Sequence, residues 1–346
     1  LKCFKYWLIL KEIMANTSFK VIKNDLKKFK NILIVSHYSP DGDAMGSSLA
    51  LYHYLLTLNK KVTVAVPNEY PDFLKWLPGN NKVLVYTKDA IKIDKLIAKS
   101  DCIFTLDFNT LSRLEDFGKA LQNCGKPFFL IDHHQQPDSY AKYMLHNVDA
   151  CSTCELIYDF IVGLGDKNKI DKKISNCLYT GLMTDTGSFR YPSVNTKTHA
   201  IIAELLKTGI VPSDIHSAVY DNYSYDRLKL LGYCLSEKLK IINANKVAYF
   251  SITNAELQKF NFKKGDTEGL VNYPFSISGV KVCAFFNEAP EGYIKISFRS
   301  KGNIDVNKFA RKYFNGGGHK NAAGGKSNKS LNETVSEFEK FVVELC

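Results

Sequence analysis

The stretch from Ile32 to Ser48, ILIVSHYSPDGDAMGSS, constrains the fold more than any other part of this chain. Ile32 to Val35 form an apolar, β-branched run that reads as a buried strand. A Pro-Asp-Gly turn follows, and a helical pattern begins at Ala44. His37, Asp41 and Asp43 therefore gather at the carboxyl end of a strand. Read as an ordinary turn, the segment uses Asp43 to cap the helix and leaves His37 and Asp41 without a role. Read as a metal site, it uses all three.

The same pattern recurs. Strands are expected over 62–66, 82–86, 102–107 and 127–134, with helices over 90–99 and 112–122. Two of these strands also end in acid or imidazole, one at Asp107 and one at Asp132, His133 and His134. Strands alternating with helices predict a mainly parallel α/β sheet, in which sites form outside the carboxyl ends of the strands. The three polar clusters should then meet in one place. Helical spacing covers 151–163 and 173–183, and runs over 200–239 with one break at 209–212. Its last part, 220–239, reads as a helix linking two domains. Just before it, TDTGSFRYPSVNTKTH supplies Asp185, either the cap of a turn or a further ligand.

The C-terminal third changes character. KVAYFSI, VKVCAFFNE and YIKISFRS are strands joined by Gly, Pro and Asn turns, with helices over 254–260 and 306–314. NGGGHKNAAGG, residues 315–325, sets Gly316, Gly317 and Gly318 before His319, a loop whose N–H groups can approach an anion closely. Neither G-x-G-x-x-G nor the full G-x-x-x-x-G-K-[ST] is present, since Gly325-Lys326-Ser327 has Lys320 in place of the first Walker glycine, which excludes a Rossmann or Walker loop.

A chain of 346 residues suits two domains, each with its own core. Its apolar runs are too short for a membrane span, so no membrane partner is expected. Nine scattered cysteines suit a reducing cytoplasm, and the single C-x-x-C, Cys151 to Cys154, reads as small residues opening a helix. The net charge of +11 points to anionic partners such as nucleotides or nucleic acid. All but five of the 46 basic residues are lysine, however, and scattered lysines are mostly solvated. The arginines, better suited to phosphate, are Arg113, Arg190, Arg227, Arg299 and Arg311. Residues 1–18 show no cleavage site and read as a non-native or disordered extension, with Met14 the expected start.

Carboxylates and imidazoles together suit Mn²⁺, with Mg²⁺ or Co²⁺ as substitutes, in octahedral geometry. The clusters contain no cysteine, which disfavours structural zinc or an iron–sulfur centre. So many carboxylates would leave buried charge around one divalent ion, so two are expected. Two close ions imply hydrolysis of a phosphoester with water as nucleophile.

Taken together, H-x-x-P-D-G-D-A-x-G-S, a strand-end Asp, D-H-H, T-D-T-G-S-F-R-Y and G-G-G-H-K-x-A-A-G resemble the DHH phosphoesterases that carry a DHHA1 domain. Size and order are similar to the nanoRNase group, bifunctional oligoribonucleases and 3′-phosphoadenosine-5′-phosphate (pAp) phosphatases. The resemblance implies a DHH catalytic domain over 19–219, a linker helix over 220–239 and a smaller α+β DHHA1 domain over 240–346, closing a cleft. It implies that His37 and Asp41 hold one metal, that Asp43, His133 and Asp185 hold the other, and that Asp107 bridges them. Asp132 would orient the ligands, and His134 would face the scissile phosphate as donor or general acid. Arg299, Gly316, Gly317, Gly318 and His319 would take the other phosphate or the terminal nucleotide, with Arg113 and Arg190 as further candidates. The implied partners are short single-stranded RNA, dinucleotides and pAp, in the cytoplasm, without an obligate protein partner; a homodimer stays open.

Two residues depart from the family pattern: Asn315 stands where a fourth glycine is common, and Cys154 where alanine is expected. Neither is expected to touch the metal set. A sibling acting on cyclic dinucleotides or their linear products would use the same residues. An exonuclease for long strands is disfavoured because no further nucleic-acid-binding domain follows. A non-catalytic nucleotide-binding module is disfavoured by the intact ligand set.

Overall fold

The computed structural model describes residues 19–244, 246–263 and 265–345; the expected extension and its Met14 start lie outside the described residues. The chain divides into two compact units, Leu1–Asn222 and Tyr223–Cys346.

In the first unit β1 (Asn31–Ser36), β2 (Lys61–Val66), β3 (Leu84–Val85), β4 (Cys102–Leu106), β5 (Phe128–Asp132) and β6 (Tyr143–His146) make one sheet. All pairs are parallel, in the order β3-β2-β1-β4-β5-β6. The helices are α1 (Phe19–Lys28), α2 (Gly42–Thr57), α3 (Tyr86–Lys99), α4 (Asp116–Gln122), α5 (Thr153–Gly163), α6 (Lys172–Asp185), α7 (Thr196–Leu206) and α8 (Pro212–Tyr220). Ile32 and Ile34 of β1 pack into a core with Met45 and Leu49 of α2 and Leu178 and Leu182 of α6. The alternate residues Leu33 and Val35 face Ile93 and Ile97 of α3 and Phe117 of α4. Helices on both faces explain why β1 is apolar throughout rather than alternating. From β1 the chain winds outward to β3, then returns to β4 on the other side. That reversal makes the β1–β4 crevice the switch point of the sheet.

Two helices approach closely enough to require glycine. A Cβ on Gly46 of α2 would lie 2.6 Å from the Cys177 carbonyl oxygen of α6. One on Gly181 of α6 would lie 2.2 Å from Cys154 Sγ and 2.7 Å from Asp43 Oδ1. This contact brings the carboxyl end of α6 to the amino end of α2.

Several local expectations change. The strand expected over 82–86 shrinks to Leu84–Val85, because α3 already starts at Tyr86. The helix expected over 112–122 is broken at Glu115, whose φ is +54°, into a 3₁₀ turn and α4. β6 was not expected, since YMLH carries no β-branched residue to mark it. In place of one helix over 220–239, α9 (Tyr225–Tyr233) starts at the Ser224 cap and runs into a π-helical turn at Cys234–Lys238.

The second unit holds β7 (Lys240–Ile242), β8 (Val247–Ile252), α10 (Asn254–Lys259), β9 (Val282–Glu288), β10 (Ile294–Ser300), α11 (Val306–Tyr313), β11 (Gly317–His319), β12 (Ala322–Ser327) and α12 (Leu331–Phe341). Its sheet runs β11-β12-β10-β9-β8-β7, antiparallel except for the β8–β9 pair. Phe286, Phe298, Phe309 and Phe338 fill one face, and Leu230 and Cys234 at the end of α9 pack with Phe250 and Phe285 on the other. The expected α+β character holds.

Candidate active site

The carboxyl ends of β1, β4 and β5 are neighbours in the sheet, and each is followed at once by polar residues: His37, Asp107, and His133 with His134. The cap of α2 is Asp41, not Asp43: Asp41 Oδ1 accepts from the Asp43 and Ala44 N–H groups at 3.0 Å, and the helix begins at Gly42. Asp43 is freed for another role. Its buried carboxylate accepts from the N–H groups of Thr153 at 2.5 Å and Cys154 at 2.9 Å, in the first turn of α5. Cys154 therefore does touch the predicted metal set, contrary to expectation, through its main chain. Asp185 is the last residue of α6 rather than a turn cap.

Asp107 is the hub. Its Oδ2 lies 3.4 Å from His37 Nε2 and its Oδ1 3.5 Å from His133 Nε2. His133 Nε2 is also 3.8 Å from Asp43 Oδ2 and 3.5 Å from Asp185 Oδ2, and His37 Nε2 is 4.0 Å from Asp41 Oδ1. One candidate ligand atom each from His37, Asp41 and Asp107 lies within 4.8 Å of the other two, and the same holds for Asp43, Asp107 and His133. Asp107 occupies the left-handed region at φ +66°, a strained choice for a residue other than glycine, of the kind that collects at functional sites.

The imidazole tautomers follow from carbonyl partners, which can only accept. His37 Nδ1 donates to the Tyr38 carbonyl at 2.9 Å and His133 Nδ1 to the Ala150 carbonyl at 3.1 Å. In the neutral rings both Nε2 atoms are thus left as acceptors facing carboxylate oxygens. Acceptors converging on acceptors need a shared cation, and this donor set fits a hard-to-borderline divalent one.

Without a cation, a proton on Nε2 answers the same carboxylates, and the imidazoles are drawn toward that charged form. Burial acts to lower the His133 imidazole, but its hydrogen bond to Asp107 and the charges of Asp185, Asp107 and Asp43 hold it well above its usual range. Burial and the like charges of Asp107 and Asp185 push the Asp43 carboxyl well up. Burial would also raise Asp107, yet the hydrogen bonds from His133 and His37 hold it well below the usual carboxylate range.

Asp132 is fully buried; its Oδ1 accepts from His134 Nδ1 at 2.7 Å, while its Oδ2 has no hydrogen-bond partner among the described residues. His134 thus turns Nε2 away from Asp132. The Arg113 carbonyl accepts from Tyr38 N–H at 2.8 Å, and the Arg113 charge acts against a proton on His37, so this residue belongs beside the His37 half of the cluster. Arg190 gives its Nε to the Gly187 carbonyl at 2.7 Å, inside the turn that follows Asp185.

In the second unit the glycine-rich segment is an edge strand, not a loop. Gly317–His319 pairs antiparallel with Ala322–Gly324. A Cβ on Gly316 would lie 1.9 Å from the Gly324 carbonyl oxygen, and one on Gly318 2.5 Å from that of Ala322, so this hairpin itself demands both glycines. Gly317 has ordinary space, with Arg311 Nη2 at 3.6 Å from such a Cβ. Arg299 and His319 both stand opposite Ala322 in register, which puts the two on one row and one face of the sheet. Arg311, also part of this neighbourhood, stands among the arginines the sequence singles out without a place in the site, whereas Thr153 and Lys197 escape the sequence reading. The S-T-C-E pattern at 152–155 announced a helix start, but not which anion its free N–H groups would hold.

Residues 31–182 match the DHH family, N-terminal domain, and residues 244–345 the DHHA1 domain. The chain is 30% identical to the probable bifunctional oligoribonuclease and PAP phosphatase NrnA of Streptococcus mutans, over 90% of this chain and 94% of that one. It is 28% identical to the bifunctional oligoribonuclease and PAP phosphatase NrnA of Bacillus subtilis, over 86% and 89%. The crystal structure of an exopolyphosphatase-related protein from Bacteroides fragilis superposes with a TM-score of 0.89 at 42% identity, covering 94% of this chain and 95% of that one.

Proposed function

This chain belongs to the DHH family of phosphoesterases, which act with divalent metals, and from that premise we propose that it hydrolyses short oligoribonucleotides to mononucleotides and removes the 3′-phosphate of pAp. Asp107, turning one carboxylate oxygen to each of two imidazoles, is the observation that carries the chemistry. The substrate class is supported by relatives named for these activities along nearly their whole length.

His37, Asp41 and Asp107 would hold one ion, and Asp43, Asp107, His133 and Asp185 a second, with Mn²⁺ the metal we propose for them. When bound, the pair supplies activation of water and charge compensation at the phosphoryl oxygens. The carbonyls of Tyr38 and Ala150 keep the protons of His37 and His133 on Nδ1, so that Nε2 stays a ligand atom. Asp132 holds the His134 Nδ1 proton and orients the ring. His134 Nε2 then donates to the scissile phosphate, or passes a proton to the leaving ribose oxygen. Arg299 and His319 recognise the substrate's other phosphate or its terminal nucleotide.

The test is a time course with purified protein and Mn²⁺. The substrates are pAp, RNAs of two to five nucleotides, linear and cyclic dinucleotides, and a long oligomer. Mononucleotides from the short RNAs and AMP from pAp are expected. Turnover confined to cyclic dinucleotides or to the long oligomer would overturn the reading.

A further inference from the structure

We infer that Thr153 is a positioning residue that sets two carboxylates of the metal site, Asp43 and Asp107, in their metal-binding geometry. This rests on the metal assignment above and goes beyond it, since Thr153 is itself neither a ligand nor a group that reaches substrate.

The argument starts from what Thr153 touches. Its side chain is fully buried, and its two donors go to two different carboxylates. The N–H donates to Asp43 Oδ2 at 2.5 Å, and the hydroxyl donates to Asp107 Oδ1 at 2.9 Å. These partners come from separate elements: Asp43 from the first turn of α2, Asp107 from the end of β4. A carboxylate cannot donate, so in both bonds the proton comes from Thr153. The hydroxyl proton is therefore aimed at Asp107, on the same oxygen that faces His133.

Two consequences follow. First, Asp107 Oδ1 has room for one hydrogen bond and one metal, and the hydroxyl fills the first place. The remaining lone pair is turned toward His133, which keeps Oδ2 available on the His37 side. Second, Asp107 sits at φ +66°, where no helix or strand ladder fixes its side chain, so its rotamer depends on such contacts. Asp43 needs the same kind of support. Its carboxylate is held by the first N–H groups of α5, which point along the helix dipole and have no partner within the helix. Thr153 belongs to both arrangements. It ties the separation of Asp43 and Asp107 to one rigid residue, and His133 is bound by both.

The residue type matters. Serine keeps both donors, valine keeps the shape and the N–H but loses the hydroxyl, and alanine keeps the N–H but loses both the hydroxyl and the γ-methyl group. The experiment measures Mn²⁺ binding to purified full-length protein by isothermal titration calorimetry and by the paramagnetic signal of free Mn²⁺, with pAp hydrolysis alongside. Thr153→Val and Thr153→Ala are expected to weaken Mn²⁺ binding by about tenfold or more, the usual effect of removing a group that orients a ligand. The loss in activity should appear in kcat, and added Mn²⁺ should partly recover it. KM for pAp should change by less than about threefold, because Thr153 does not contact substrate. Thr153→Ser should recover Mn²⁺ affinity to within about threefold of the parent.

Unchanged affinity in both Thr153→Val and Thr153→Ala would overturn the inference. So would a loss in Thr153→Ser as large as that in Thr153→Ala, because the methyl group and not the hydroxyl would then be the cause. If Thr153→Val does not fold, as judged by circular dichroism, the Thr153→Ala and Thr153→Ser pair decides. Failure of the parent protein to bind Mn²⁺ at all would instead overturn the metal assignment, so the two failures are distinguishable.

Discussion

Lys197→Met should destabilise the first unit more than any surface lysine substitution. Lys197 Nζ lies 2.8 Å from Glu155 Oε1 and 2.5 Å from Asp159 Oδ2. The two acidic side chains are 2% and 0% exposed and the lysine 20%. At an effective dielectric constant of about 20, each contact is worth about 6 kcal/mol before desolvation. Desolvation offsets most of that, but methionine keeps the stem and deletes the charge, which leaves two buried carboxylates without this partner. Breaking such a pair from one side costs about 3–5 kcal/mol. In a unit of about 200 residues that lowers the melting temperature by roughly 6–20 °C.

The assay is thermal unfolding of the full chain followed by circular dichroism, with EDTA present to remove linkage to metal. Burial acts to lower the Lys197 ammonium, but the charges of Asp159 and Glu155 raise it above the usual lysine range. A raised folded value means that its contribution is fully present below the unfolded lysine value, about 10.5, and fades as pH rises through the folded one. The gap between parent and variant should therefore stay constant from pH 6 to about 10 and narrow above that. Combining Lys197→Met with Glu155→Gln and Asp159→Asn should return part of the loss. A loss below about 1 kcal/mol at pH 7 would refute the reasoning, because it would place the lysine among ordinary solvated pairs.

Asp107→Ala should abolish hydrolysis of every substrate even with saturating Mn²⁺, while the far-ultraviolet dichroism stays native; near-normal turnover would end the two-metal reading. Arg299→Ala and His319→Ala should each lose one to two orders of magnitude in kcat/KM on pAp or short RNA, since a charge-assisted hydrogen bond contributes about 1.5–3 kcal/mol. Both should keep most of their activity on a small chromogenic phosphodiester; equal losses on both substrate types would mean that these residues act in the chemistry. Burial would raise Glu256, but hydrogen bonds from Lys238, the Thr253 N–H and Tyr233 bring its carboxyl down to about 2. A depressed folded value contributes stability that is present above the unfolded value near 4.5 and is lost as pH falls toward 2, so the second unit should lose about 1–3 kcal/mol over that window. Urea titrations at pH 6 and pH 2.5 should show this loss in the parent and not in Glu256→Gln.

Much of this was legible because the physics was local. An apolar run buried on both faces announces itself as a strand, and acids and imidazoles at its carboxyl end can be read beside it, as with His37, Asp107 and His133. What stayed hidden depends on distant partners. Asp43 looks like a helix cap until Asp41 takes that place and α5 supplies N–H groups from 110 residues away. Lys197 looks solvated until Glu155 and Asp159 are folded against it. Gly316 and Gly318 look like a ligand cradle until the hairpin shows that the backbone of β12 needs their space. β6 is an edge strand whose pairing, not its composition, makes it a strand.

The order of the ligands along the chain has a consequence for biosynthesis. His37 leaves the ribosome early, whereas Asp185 closes α6 on the order of 150 residues later, about ten to thirty seconds at ordinary elongation rates. Through that interval the nascent chain holds His37, Asp41 and Asp43, and from about its midpoint Asp107, without the helix that lines up against Asp43 through Gly181. The cluster around Asp107 thus gains Asp185, and with it the close approach of α6 to α2, only when the first unit is nearly complete.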